Sequence, residues 1–319
     1  MSILLDLLML IGGIVIAVAG ANILVDGASS IAHKLKVSSL IIGMTVVAFG
    51  TSMPEFAVNV FSSIHKNTGL AISNILGSNI FNILVILGIA AVIKALPVHR
   101  NTISRDIPMN LLAAILVGVV GNKLLINGIG ESAIFPTDGI VFLSLFAIFL
   151  YYTFYHLKPD EGDGDAHIKK MSAVKAVILI LLGLGGLIAG GELIVRGAGD
   201  FARSAGMSDH LVGLLIVGPG TSIPELLTSL IAVRKGKVDL AVGNVVGSNI
   251  FNIFFILGLS SVIYPLPLHT ELNIAVMITI GASLLLFIFT FVSRNSHLTR
   301  KKGIFFILLY LAYIIYMIS

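Results

Sequence analysis

The sequence predicts an all-α polytopic membrane protein, with ten transmembrane helices in two inverted five-helix repeats and breaks in helices 2 and 7. Three observations carry this. Of the 319 residues, 57% are hydrophobic and 11% charged, whereas a soluble domain carries about 25% charged residues. The apolar residues fall into ten long stretches. The second half of the chain repeats the first at one constant offset.

A helix needs about 20 apolar residues to cross a ~30 Å hydrocarbon core. The first stretch, 3–24, contains an A-x-A pattern at Ala17–Ala19 but carries Asp6 where a signal peptide would be basic, so it is read as a mature helix. The second, 38–64, is interrupted by Gly50, Pro54 and Glu55. Stretches 70–93, 107–127 and 135–156 complete the first repeat, 1–156. A polar connector, 157–172, acidic in its middle, is expected on the cytoplasmic side. The second repeat, 173–319, holds stretches 173–195, 209–233, 239–263, 272–292 and 302–318. Its second stretch is broken by Pro219, Gly220, Pro224 and Glu225.

The repeat is gap-free. "GTSMPE" (50–55) matches "GTSIPE" (220–225), and "GSNIFNI" occurs identically at 77–83 and 247–253. "LPVH" (96–99) matches "LPLH" (266–269), and "GANILVDGA" (20–28) matches "GGELIVRGA" (190–198), always 170 positions apart. Five spans is an odd number, so consecutive copies enter the membrane from opposite sides, which is the inverted-repeat plan of transporters. With the N-terminus outside, 16 of the 20 basic residues fall in cytoplasmic connectors; Lys66, Lys123, Arg196 and Arg203 fall outside. A multi-pass protein of the cell membrane with both termini extracellular is therefore expected. The net charge of +4 is scattered through short loops and does not point to nucleic acid. The chain has no cysteine, so thiolate ligands and nucleophiles are excluded.

Glu55 and Glu225 lie in mid-span. A carboxylate there costs about 2.5–3.5 kcal/mol on insertion scales. No lysine or arginine lies mid-span to pair with them, so a bound cation is the natural partner; the bland reading is a pair of protonated glutamates acting as helix glue. Pro54 and Pro224 each remove an N–H, Gly50 and Gly220 permit a distorted turn, and the breaks are expected to free backbone carbonyls. Thr51, Ser52, Thr221 and Ser222 add hydroxyls. Ser78 and Asn82, like Ser248 and Asn252, are spaced i, i+4 on one helix face. Asn74, Asn79, Asn244 and Asn249 read equally as site groups or interhelical hydrogen-bond glue, and Gly77 and Gly247 as close helix packing. This collection of hard oxygens suits Ca2+ and Na+, and the lack of His or Cys in it disfavours zinc, copper and iron. His99 and His269 are read as solvated loop residues on opposite faces.

"VVAFGTSMPE" and "GPGTSIPE", each followed by "GSNIFNI", resemble the two alpha repeats of the cation/Ca2+ exchanger superfamily, closest to the prokaryotic Na+/Ca2+ exchangers. The resemblance places the alpha motifs at 43–88 and 213–258. It implies alternating access, with two outer helices sliding over an eight-helix core, and a cluster of twelve residues: Ala48, Thr51, Ser52, Glu55, Ser78, Asn82, Gly218, Thr221, Ser222, Glu225, Ser248 and Asn252. Ala48 and Gly218 would offer carbonyl oxygen only. Two residues depart from the family pattern: Pro219 stands at a usually apolar position, and Asn252 where some archaeal members and the K+-dependent branch have aspartate.

The implied activity is secondary antiport of Na+ for Ca2+, electrogenic at three Na+ per Ca2+, by a monomer in the lipid bilayer. Ca2+ and Na+ are then substrates, and no cofactor is called for. A Ca2+/H+ antiporter on the same fold is the alternative. A passive channel is disfavoured because two midplane carboxylates bind too tightly for fast conduction. An intramembrane hydrolase using Ser52 or Ser222 lacks a base, so no enzyme is expected.

Overall fold

The computed structural model describes residues 3–66, 68–123, 128, 132–155, 171–204, 206, 218–292 and 297–318. Helix α1 spans Ile3–Leu35. Helix α2 is broken into Ser39–Thr51 and Met53–Ile64, which meet at 48°. There follow α3 (Thr68–Ile93), α4 (Thr102–Gly121) and α5 (Pro136–Tyr155). Then come α6 (Ala173–Ser204), α7 in two pieces (Gly218–Gly220 and Ile223–Arg234), α8 (Val238–Ile263), α9 (Asn273–Phe291) and α10 (Arg300–Ile318). Among the described residues, seven unbroken helices are long and apolar enough to cross a membrane, and α2 makes eight when its two arms count as one span. The expected first part of the seventh span, 209–217, lies outside the described residues, as does most of the connector 157–172.

The breaks have a local cause. Ser52 leaves the helical region (φ −84°, ψ 10°), and Pro54 follows inside the first turn of the next segment, where its missing N–H is not needed. Ser222 (φ −88°, ψ 8°) and Pro224 repeat the device.

Helices α3 and α8 form the core. Of the residues in their apolar windows, 72% and 78% are buried, against 22–39% in the other unbroken spans. Their all-round apolar sequence fits this position. Each carries a turn of π-helix, at Asn82–Ile86 and Phe251–Leu257, and a further one at Gly43–Val47 opens the approach to the first break. Such turns recur at functional sites.

Helices α1 and α6 pack on each other antiparallel, backbone against backbone. A Cβ on Gly13 would lie 2.8 Å from the Gly190 carbonyl oxygen, one on Gly20 2.8 Å from that of Gly183, and one on Gly197 2.6 Å from that of Asp6. Helix α6 also covers both breaks. A Cβ on Gly50 would meet the Leu184 side chain at 2.5 Å, and one on Gly220 that of Val195 at 2.4 Å. These two glycines thus admit α6 rather than a distorted turn: neither has a positive φ. Close packing holds for Gly247, whose Cβ would sit 2.6 Å from Met44 backbone, but not for Gly77, which has open space.

Four two-residue strands form two ribbons that the sequence did not announce. Leu96–Pro97 (β1) pairs with His297–Leu298 (β4), and Ala133–Ile134 (β2) with Leu266–Pro267 (β3). Each ribbon joins connectors that the basic-residue count assigns to one face. His99 is not simply solvated: its Nε2 lies 3.1 Å from Asp239 Oδ2.

Candidate ion-binding site

The two breaks and the two core helices bring their polar side chains into one buried cluster. Thr51, Ser52, Glu55, Ser78 and Asn82 are fully buried, as are Ser222, Glu225, Ser248 and Asn252. The hydrogen bonds exchange between the halves. Ser52 Oγ donates to Glu225 Oε1 at 2.7 Å, and Ser222 Oγ donates to Glu55 Oε1 at 3.1 Å. Each carboxylate also accepts from a serine of its own half: Ser78 to Glu55 Oε1 at 3.2 Å, and Ser248 to Glu225 Oε1 at 3.4 Å. Hydroxyl-to-carboxylate bonds of this kind are charge-assisted.

Thr51 Oγ1 donates within its own helix, to Val47 O at 3.0 Å, and contacts Asn244 Oδ1 at 3.1 Å. Thr221 Oγ1 pairs with Asn74 Oδ1 at 3.3 Å. The Ala48 carbonyl is not freed by the break, which falls at Ser52. It accepts from the Ser52 N–H at 3.1 Å and from Ser248 Oγ at 3.5 Å. Gly218 opens the short first piece of α7.

What the cluster leaves open is as informative. Glu55 Oε2, Glu225 Oε2, Asn82 Oδ1 and Asn252 Oδ1 are buried without a protein partner. All four are acceptors, and none has a protein donor within hydrogen-bond reach. A group of acceptor oxygens in an apolar interior is costly unless something positive occupies it. Two carboxylates and amide and hydroxyl oxygens match the hard-oxygen preference of Ca2+ and Na+.

Several residues beyond the twelve complete the cluster. Asn244 Nδ2 reaches the Glu225 backbone oxygen at 3.4 Å and Ser229 Oγ at 3.0 Å. Asn59 Nδ2 caps the Glu55 backbone oxygen at 2.9 Å. Asn79 and Asn249 bond the amides of Asn252 and Asn82 at 3.0 Å each. The asparagines that repeat at 74/244 and 79/249 carried this signal in the sequence; Asn59 and Ser229 did not, since the repeat differs there.

An all-α polytopic fold around an enclosed set of acceptor oxygens defines a membrane protein that handles cations. The profile of the family described as sodium/calcium exchanger protein matches residues 5–155 and 175–319. The chain is 30% identical over 343 aligned positions to the sodium/calcium exchanger MaX1 of Methanosarcina acetivorans, covering 97% of both. It is 35% identical over 266 residues to the inner membrane protein YrbG of Escherichia coli, covering 81% of this chain and 79% of that one. It superposes on the solved structure of the sodium-calcium exchanger NCX_Mj with a TM-score of 0.84 and 32% identity, over 99% of this chain and 100% of that one. The chain belongs to the sodium/calcium exchanger family.

Proposed function

We propose that this protein exchanges Na+ for Ca2+ across the cell membrane by alternating access, with the twelve residues named from the sequence as its ion ligands. The observation that carries this is the set of four unpartnered buried oxygens on Glu55, Glu225, Asn82 and Asn252. The names of MaX1 and NCX_Mj as sodium/calcium exchangers agree with it. Two carboxylates give the site a charge of −2 when ionised, which one Ca2+ neutralises. The many neutral oxygens favour Na+ over H+ as the driving ion, because a proton needs only a carboxylate. They also favour three Na+, whose excess positive charge they would offset.

The accompanying topology is ten spans in two inverted repeats, with both termini outside. The antiparallel packing of α1 on α6, which occupy equivalent positions in the repeat, supports the inversion. The two ribbons, each between connectors assigned to one face, support the alternation of spans.

The test uses proteoliposomes loaded with Na+ and diluted into Na+-free medium with tracer Ca2+. Uptake driven by the Na+ gradient is expected. Uptake driven only by a pH gradient would replace Na+ with H+, and no uptake under either gradient would overturn Ca2+ antiport.

A further inference from the structure

Asn79 and Asn249, which lie outside the twelve proposed ligands, meet where α3 and α8 cross. Both are buried. Asn79 Nδ2 donates to the backbone carbonyl of Asn249 at 3.2 Å. A backbone carbonyl can only accept, so this bond decides which end of the Asn79 amide faces it. Asn79 Oδ1 is thereby turned toward Asn252, whose Nδ2 donates to it at 3.0 Å. The Asn252 amide is fixed in its turn. Its nitrogen is engaged, and its oxygen is left buried and without a protein partner. A parallel relay runs in the other half. Asn82 Nδ2 donates to Asn249 Oδ1 at 3.0 Å, and Asn82 Oδ1 is buried without a partner. The second relay has no backbone anchor, because Asn249 Nδ2 is itself unpartnered.

We propose that Asn79 is a positioning residue that sets the flip of the Asn252 amide, so that it offers the cation its oxygen and not its NH2 group. This rests on the reading of Asn252 as an ion ligand. The need for such a device comes from the chemistry of an amide. One end attracts a cation and the other, carrying N–H donors, repels it, and the two ends have nearly the same shape. A carboxylate has oxygen at both ends and needs no such orientation. If Asn79 acted only as glue between helices, its removal would cost the same whichever residue stood at 252.

That difference is the test. Wild type, Asn79→Ala, Asn252→Asp and the double variant are purified, reconstituted and assayed for the apparent Ca2+ affinity of Na+-driven uptake. Asn79→Ala is expected to weaken that affinity about tenfold where residue 252 is Asn, the scale of one misdirected hydrogen-bonding group. In the Asn252→Asp background the loss should shrink to less than about twofold, because either carboxylate oxygen serves. Equal losses in the two backgrounds would overturn the proposal. If Asn79→Ala cannot be recovered folded, Asn79→Ser with and without Asn252→Asp asks the same question with a polar replacement. Wild-type uptake in the same preparation separates the two ideas. Its absence would overturn Ca2+ exchange, and thermal stabilisation of the four purified proteins by Ca2+ or Na+ would then decide the positioning role by the same comparison.

Discussion

Replacing Glu225 with glutamine tests the site with the least change of shape. Glu225 Oε1 accepts hydroxyls from Ser52 at 2.7 Å and Ser248 at 3.4 Å, while Oε2 has no protein partner. A glutamine would keep its single oxygen facing the two hydroxyls. Its NH2 group then falls where Oε2 was, so the cation loses a charge and also meets a donor. Removing one member of a buried charge pair costs about 3–5 kcal/mol. At roughly 1.4 kcal/mol per decade, Ca2+ binding should fall by about 10² to 10⁴-fold. Two measurements separate this from a folding defect. Tracer Ca2+ uptake into Na+-loaded proteoliposomes should drop below detection. The melting temperature of the purified protein without Ca2+ should hold or rise, since an unpartnered buried carboxylate has been removed, while the stabilisation conferred by Ca2+ should vanish. Uptake within about threefold of wild type would refute the assignment, because no arrangement that uses both Glu225 oxygens as described tolerates a loss on the scale of a buried charge. Glu55→Gln should behave alike, with Ser222 and Ser78 holding the remaining oxygen.

Further outcomes can be checked separately. An inside-positive potential, set with K+ and an ionophore, should speed Na+-driven Ca2+ uptake if three Na+ leave per Ca2+, with about 2.3 kcal/mol of drive per 100 mV; uptake indifferent to potential would mean electroneutral exchange. Gly20→Val should destabilise by at least about 1–3 kcal/mol in a thermal-unfolding series, because even its Cβ would lie 2.8 Å from Gly183 backbone, which no rotamer change relieves. Gly77→Ala, with nothing within 4 Å of its Cβ, should instead hold or gain about 0.5–1 kcal/mol in the same series. A tag at either terminus should label from outside intact cells; labelling only after permeabilisation would reverse the assigned orientation.

The carboxylates, the breaks and the repeat were legible because each is improbable in an apolar chain. A mid-span Glu is rare, and the same Glu with Pro beside it at a second position 170 residues on has few explanations besides function. The packing partners were not legible. Gly50 and Gly220 each stand four positions before a proline, which suggests a strained turn, and only the fold shows Leu184 and Val195 pressed against them. Identical sequence follows Gly77 and Gly247, yet a Cβ on Gly247 would meet Met44 and one on Gly77 would meet nothing within 4 Å. The π turns at Asn82–Ile86 and Phe251–Leu257 leave no trace either, since the residues that follow Asn82 and Asn252 are apolar on every side and offer no alternation whose phase could shift. His99 and Asp239 are 140 positions apart, and no local pattern joins them.

Each carboxylate is held by one serine from its own half and one from the other. Neither half alone can therefore furnish the full set of donors. Two copies of one half could furnish it as a dimer, because the bonds are related by the same exchange that relates the repeats. In a single chain the two sets of donors are always present together. The halves are also free to diverge, so that Pro219 can appear opposite Phe49 and Ser229 opposite Asn59 without a matching change in the other half. A symmetric pair would have to accept every substitution twice. This chain accepts it once, and so one half of the cluster can be altered while the other keeps its hold on the same carboxylates.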